Sequence, residues 1–236
     1  MTRKALTTIA LTSCFALVAV LGAAGKAQAQ DAKAPYPNMA PLAQYMMERD
    51  AEIALARSAA PESISQDAEV MVLGQHGYET AVKGKNGFVC IVERSWASGT
   101  DDPGFWNPKL RGPICFNPPA VQSQLPITLK RTEVILASRS IDQMSEALKS
   151  GFERKELSTP EPGAMCYMLS KQQYLSDAGG HWHPHLMFFL PVTEPATWGA
   201  GLAGSPVMAI KDPLDHLTLF LIPVGHWSDG TPAVKE

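Results

Sequence analysis

The sequence predicts an α+β domain, a mostly antiparallel sheet with two or three helices packed on one face. Three observations lead there. Segments rich in Val, Ile, Phe and Tyr come in runs instead of alternating with helical segments, which disfavours a parallel doubly wound sheet. Apolar residues recur at helical spacing in residues 38–58 and again in residues 141–157. Of 236 residues, 45% are hydrophobic and 18% charged, enough apolar content for one sizeable core and too much for wholesale disorder.

The N-terminal residues read as a leader. Arg3 and Lys4 precede an apolar run over residues 5–24, and Ala27-Gln28-Ala29 is an A-x-A cleavage signal. Residues 1–29 are therefore expected to be a cleaved secretory signal peptide, and residues 30–236 a single secreted domain. Thr7, Thr8, Thr12 and Ser13 weaken the run as a membrane helix. Leu11-Thr12-Ser13-Cys14 resembles the lipobox of bacterial lipoproteins, but ten mostly apolar residues follow Cys14 where a lipobox should close the run. No second span follows Tyr36, so a soluble, secreted or periplasmic chain is expected. Removing Arg3, Lys4 and Lys26 from 20 basic residues leaves 17 against 23 acidic, a net charge of −6. Such a chain repels nucleic acid and anionic lipid. A small molecule or an envelope protein is the expected partner.

The elements follow in order. Residues 38–58 predict a helix capped by Asn38 and ended by Pro61. Residues 69–73, 78–82 and 88–96 predict strands, and Asn86-Gly87 between the last two is a type I′ hairpin signal. Residues 97–120 form a long loop rich in Gly, Pro and Asp, which Phe105 and Trp106 mark as a packed or binding loop. Residues 127–138 suit helix or strand. Residues 141–157 predict a helix, with Ser140 and Gln143 as capping box and Met144, Leu148 and Phe152 on one face. Residues 164–169, 182–191 and 216–224 predict strands. The last two echo each other, LMFFLPV against LFLIPV, which suggests neighbours in one sheet.

Cys90, Cys115 and Cys166 remain in the mature chain. They allow one disulfide plus a free thiol, or three buried thiols, and no C-x-x-C supports a redox site.

His181-Trp182-His183-Pro184-His185 carries half of the six histidines. On a strand, His181, His183, His185 and Met187 share one face, opposite Trp182, Leu186, Phe188 and Leu190. Neutral imidazoles so spaced can chelate a divalent ion, with His216 or His226 as outside ligand, zinc ahead of copper. His76, in a Gly-flanked turn, suits a turn role. The His183-Pro184-His185 pair resembles the H-x-H of cupins, but the next acidic residue is Glu194, nine beyond His185, where the pattern departs from that family.

Gly199-Ala200-Gly201-Leu202-Ala203-Gly204 matches G-x-G-x-x-G but stands between Pro195 and Pro206, which suits a loop and not a dinucleotide site. Residues 193–215 could form a lid over the histidine face. Asp101-Asp102 and Asp212/Asp215 suit turns better than paired catalytic carboxylates. Two functional expectations result. One is a secreted domain with a His-rich divalent-metal site. The alternative is a non-enzymatic envelope or ligand-binding module with structural histidines, whose loops at 97–120 and 193–215 make the binding surface.

Overall fold

A computed structural model of the chain describes residues 35–180 and 182–233. The expected signal peptide, the cleavage point at Gln30 and His181 lie outside the described residues. One eight-stranded sheet runs in the order β2-β1-β3-β4-β5-β6-β8-β7, with strands β1 Glu69–Leu73, β2 Tyr78–Val82, β3 Val89–Glu93, β4 Gly112–Phe116, β5 Met165–Met168, β6 His185–Pro191, β7 Met208–Asp212 and β8 Leu217–Pro223. Only β1 and β3 pair parallel; the other neighbours are antiparallel. The helices are α1 Arg49–Arg57, α2 Glu62–Ser65, α3 Pro118–Ser123, α4 Leu125–Ser138 and α5 Ile141–Glu153. The architecture is α+β.

The helices are shared between the two sheet faces instead of gathered on one. Alternation along β3 and β4 sends Cys90, Val92 and Cys115 to a cluster with Ala56 of α1. Val89, Ile91, Ile114 and Phe116 go to the other side, with Ala120 of α3 and Leu125 of α4. Each of the buried Val, Ile, Leu and Phe side chains among these contributes roughly 1.5–3 kcal/mol. Cys90 and Cys115 are directly opposed and form a disulfide, with Cα atoms 4.0 Å apart, and Cys166 is a buried free thiol. A third cluster, built on Tyr45, Trp96, Phe105, Trp106, Met144 and Leu148, seats α5 and the 98–111 loop.

Several expectations need correction. The first helix starts at Arg49, not Asn38, because the Glu48 carboxylate caps it by accepting from the backbone N–H groups of Asp50 and Ala51. Asn86-Gly87 does not join β2 to β3 as a hairpin, because β1 lies between them and β2 is an edge. The 83–88 segment instead crosses the end of β1. There Asn86 Oδ1 accepts from Phe88 N and Asn86 Nδ2 donates to the Ile64 carbonyl. β4 emerges from the expected long loop, and β7 from the expected loop at 193–215. β6 and β8 are neighbours, paired over seven residues from His185↔Pro223 to Pro191↔Leu217. Ser140 caps α5 by accepting from Gln143 N.

Candidate functional site

The histidines separate. β6 begins at His185, so His183 precedes the strand and is exposed, while His185 is 2% exposed. The expected histidine face of this strand is a core face: His185, Met187 and Phe189 are all buried on it. His185 Nδ1 lies 2.7 Å from the His183 carbonyl. A carbonyl only accepts, so Nδ1 carries the proton. Burial chiefly holds the His185 pKa below its usual value, which favours the neutral ring. Trp182 does not lie on an opposite face; its ring packs edge-on against His185 at 4.6 Å.

His226 follows β8 at the same end of the sheet, near Pro184, whose carbonyl accepts from Val224 N. His216 precedes β8 at the other end, about 20 Å away at a strand rise of roughly 3.3 Å per residue, and stacks on Phe152 with ring centroids 4.2 Å apart. Those two histidines cannot serve one ion. Among the described residues, no group of three His, Cys, Asp or Glu is placed to hold a metal ion.

The 193–215 segment, expected as a lid over the histidine face, divides between the two faces and reaches the Met187 side through Ile210, Asp212 and Asp215. Its Trp198 stacks on Phe220 at 4.6 Å and approaches Phe188 at 6.0 Å, both on the face opposite Met187.

A different site stands on the Met187 face. A cavity of about 360 Å³ lies between the sheet and α4. Its apolar floor comes from Ile114, Phe116, Met168, Met187, Phe189 and Leu219. Both long loops contribute, Ala97, Ser98 and Gly99 from one and Ile210, Asp212 and Asp215 from the other segment. Gly99 and Ile210, the latter 54% exposed, mark the mouth.

Polar groups collect on the helix wall. Gln124, Thr128 and Arg131 follow the i, i+4, i+7 spacing of one helix face, on and just before α4, and all line the cavity. Arg131 Nη2 donates to Asp215 at 2.8 Å and lies 3.5 Å from Asp212. Its Nη1 donates to the Ser98 carbonyl. Two buried donors on this wall, Gln124 Nε2 and Arg131 Nε, have no hydrogen-bond partner in the protein.

Glu93, at the end of β3, faces the same space. Burial pushes its carboxyl up to about 7, against the lowering effect of Arg131 and a hydrogen bond with Thr128. Asp215 is also raised, mainly by burial, despite Arg131 beside it. Asp212 Oδ1 accepts from Leu214 N and Asp215 N, so this aspartate has a turn role as well as an ionic one. Asp102 is a turn former, accepting from Gly104 N.

Sequence reasoning did not bring Glu93, Gln124 and Arg131 together. The signal was the polar i, i+4, i+7 series of Gln124, Thr128 and Arg131 among apolar Leu125, Ile127 and Ile135. Chemically the arrangement offers an apolar slot with one donor-rich wall.

Comparison with known proteins returns no match: no family model fits the chain, and neither a curated protein nor a solved structure is similar to it.

Proposed function

We propose that the mature chain is an exported ligand-binding module that holds a small, largely apolar molecule in the cavity beneath α4, with the described histidines in structural roles. The observation that carries this reading is the cavity itself. Its volume falls in the range of small-molecule sites, and its apolar floor faces a few convergent polar groups, which is the composition of such sites. Two further features support it. Both long loops reach the cavity rim. The Cys90–Cys115 disulfide suits an oxidising compartment such as the periplasm or the exterior. The histidine side chains themselves are not used: His185 is buried with Nδ1 engaged, and His183 meets it through its backbone carbonyl.

Methionine methyl groups report the site directly. With ¹³C-methyl-Met labelling of the disulfide-intact chain, the neutral apolar dye Nile red should shift the Met168 and Met187 signals, which line the cavity. Met144, buried in the separate cluster around Trp96 and Leu148, should stay still. Unmoved Met168 and Met187 signals at saturating dye would end the reading.

A further inference from the structure

Glu93 stands in the wall of the same cavity. Alternation along β3 sends it to the side of Val89 and Ile91, the side that α3 and α4 cover. Its cross-strand partner is Gly112, which has no side chain. A Cβ placed on Gly112 would stand 3.6 Å from Glu93 Cβ, 3.4 Å from Met168 Cε and 3.5 Å from Leu175 Cδ2. The side chains of Glu93, Met168 and Leu175 thus surround one gap in the sheet surface, and all four residues line the cavity. Glu93 is half-buried, so it keeps contact with solvent although β3 is an inner strand. Its carboxyl meets Thr128 on the helix wall across the space.

The charges around this carboxyl are already engaged. From α4 it faces Arg131, and from the turn before β8 Asp215, with Asp212 beside them. Arg131 is matched to those aspartates, at 2.8 Å to Asp215 and 3.5 Å to Asp212. From the sheet, Tyr78 and Cys166 lie within electrostatic reach; burial raises both, so they stay neutral near pH 7. Arg94, next in the chain, is held by Glu52 at 2.8 Å. Among the described lining residues both cations, Arg94 and Arg131, therefore have other partners. An ionised Glu93 depends on water in the cavity for its solvation. Burial already pushes this carboxyl up to about 7. A largely apolar occupant displaces the water and disfavours the carboxylate further, whereas the neutral acid costs far less to enclose. The effect is reciprocal: if occupancy favours the proton, the proton favours occupancy by the same factor.

Resting on the ligand-binding reading above, we infer that the cavity takes up its apolar occupant together with a proton held on Glu93, so that it loads in acid and releases as that carboxyl ionises. Occupancy raises the proton affinity of the acid, so ligand affinity falls as pH rises through about 7.

The test is the affinity of Nile red, neutral throughout, for the disulfide-intact chain at pH 6 and pH 8. Its arrival is read at the Met168 methyl, beside Glu93. With a proton bound alongside each occupant, Kd should rise about five- to tenfold between the two pH values. In Glu93→Gln, which keeps the shape of the protonated acid, Kd should change less than about twofold. A second measurement needs no variant. In the parent with ¹³C-carboxyl-labelled Glu, saturating Nile red should move the Glu93 titration midpoint up by at least about one pH unit. The Met144 methyl, in the separate cluster around Trp96, reports an intact fold at each pH.

The outcomes separate the two readings. Suppose Nile red shifts the Met168 and Met187 methyls. A Kd that is flat or falls as pH rises, a rise that Glu93→Gln retains, or an unmoved Glu93 midpoint then overturns the proton linkage, and the ligand-binding reading survives. If Nile red does not reach those methyls even at pH 6, both fall.

Discussion

Arg131 on α4 and Asp215, 84 residues further along the chain, meet at 2.8 Å and tie the helix wall of the cavity to the turn before β8. The pair sits beside Glu93, whose carboxyl faces Arg131, Asp215 and Thr128 across the cavity, with Tyr78 and Cys166 within electrostatic reach on the sheet side. Burial outweighs the single cation there. The result is a carboxyl group that stays protonated to about pH 7.

Glu93 thereby sets a pH dependence. In the unfolded chain this carboxyl titrates near 4.5, and in the fold at about 7. Between those values the folded state holds a proton that the unfolded state releases, so the contribution of Glu93 lowers stability as pH rises through the window. The loss should reach about 1–2 kcal/mol, after allowance for screening by solvent in the open cavity. Glu93→Gln should remove that slope and make the protein more stable than the parent at pH 8. Urea unfolding at pH 5 and pH 8 checks it; parallel pH profiles for parent and variant would count against the assignment.

A second buried charge pair holds the other side of the sheet. Glu52 of α1 meets Arg94 at 2.8 Å with both side chains almost wholly enclosed. Glu52 also accepts from Leu73 N, and Arg94 Nε donates to the Tyr45 carbonyl. Glu52→Ala would leave a buried guanidinium without its counter-charge and Leu73 N without a partner. A cost of about 3–5 kcal/mol is expected by chemical denaturation. A loss below about 1 kcal/mol would mean that the pair is far better solvated than its burial indicates.

The crossing between β2 and β3 makes two different demands on glycine. At Gly84 a Cβ would collide with the backbone of Glu69 and Ala68, so Gly84→Ala must displace the main chain of β1. At Gly87 the backbone has φ +78°, and a Cβ would meet Pro118 at 3.2 Å. Asn tolerates that φ better than other side chains. Gly84→Ala and Gly87→Val should each lower the melting temperature, and Gly87→Asn should lower it less than Gly87→Val. Equal losses for the two variants at position 87 would show that backbone conformation is not the constraint there.

How much of this was legible in the sequence depended on whether the signal was local. β1 and β2 were readable to the residue because Glu69–Leu73 and Tyr78–Val82 are β-rich and bounded by Gly-containing turns. The cap at Ser140 was readable because the capping partner is three residues away. β4 was hidden because Gly112 and Pro113 imitate a turn and Asn117-Pro118-Pro119 follows at once. β7 was hidden because Met208–Asp212 is a short edge strand with mixed polarity. The insertion of β1 between β2 and β3 is a non-local pairing that a local hairpin signal cannot reveal. At β6, Phe188 and Leu190 mark one apolar side, yet Met187 and Phe189 make the histidine side apolar too, so alternation could not tell core from solvent. The cavity is not legible in the sequence for a related reason: Glu93, Gln124, Arg131 and Asp215 come from three distant stretches of chain.

Export predicts a particular covalent form. Protein recovered from an oxidising compartment should begin at Gln30 and weigh two hydrogens less than the reduced chain of residues 30–236, with Cys90 and Cys115 joined. One thiol, Cys166, should react after denaturation. Closing this loop across β3 and β4 stabilises the fold by about 3 kcal/mol through the unfolded state, so reduction should lower the melting temperature. Intact-mass measurement decides the matter; a retained Met1 or a lipid on Cys14 would defeat the proposal.

The histidines supply the last contrast. His185 is buried, donates from Nδ1 to the His183 carbonyl and packs against Trp182 at 4.6 Å, so His185→Ala removes both a hydrogen bond and packed ring area. A loss of about 2–4 kcal/mol is expected. His183 is exposed and contributes its backbone carbonyl to that bond, so His183→Ala should change stability by less than about 0.5 kcal/mol. A structural role also fixes the response to metal. An ion held by His181, His183 and His185 would bind the folded state alone and raise the melting temperature by mass action, with the gain fading below an imidazole pKa of roughly 6.5. With His185 committed to the core, Zn²⁺, Cu²⁺ and Ni²⁺ at pH 7.5 should leave the melting temperature of the untagged protein unchanged, and the two alanine variants should keep their unequal ranking with or without metal. A rise with zinc that His183→Ala abolishes would reverse this assignment and make the cluster a metal site after all.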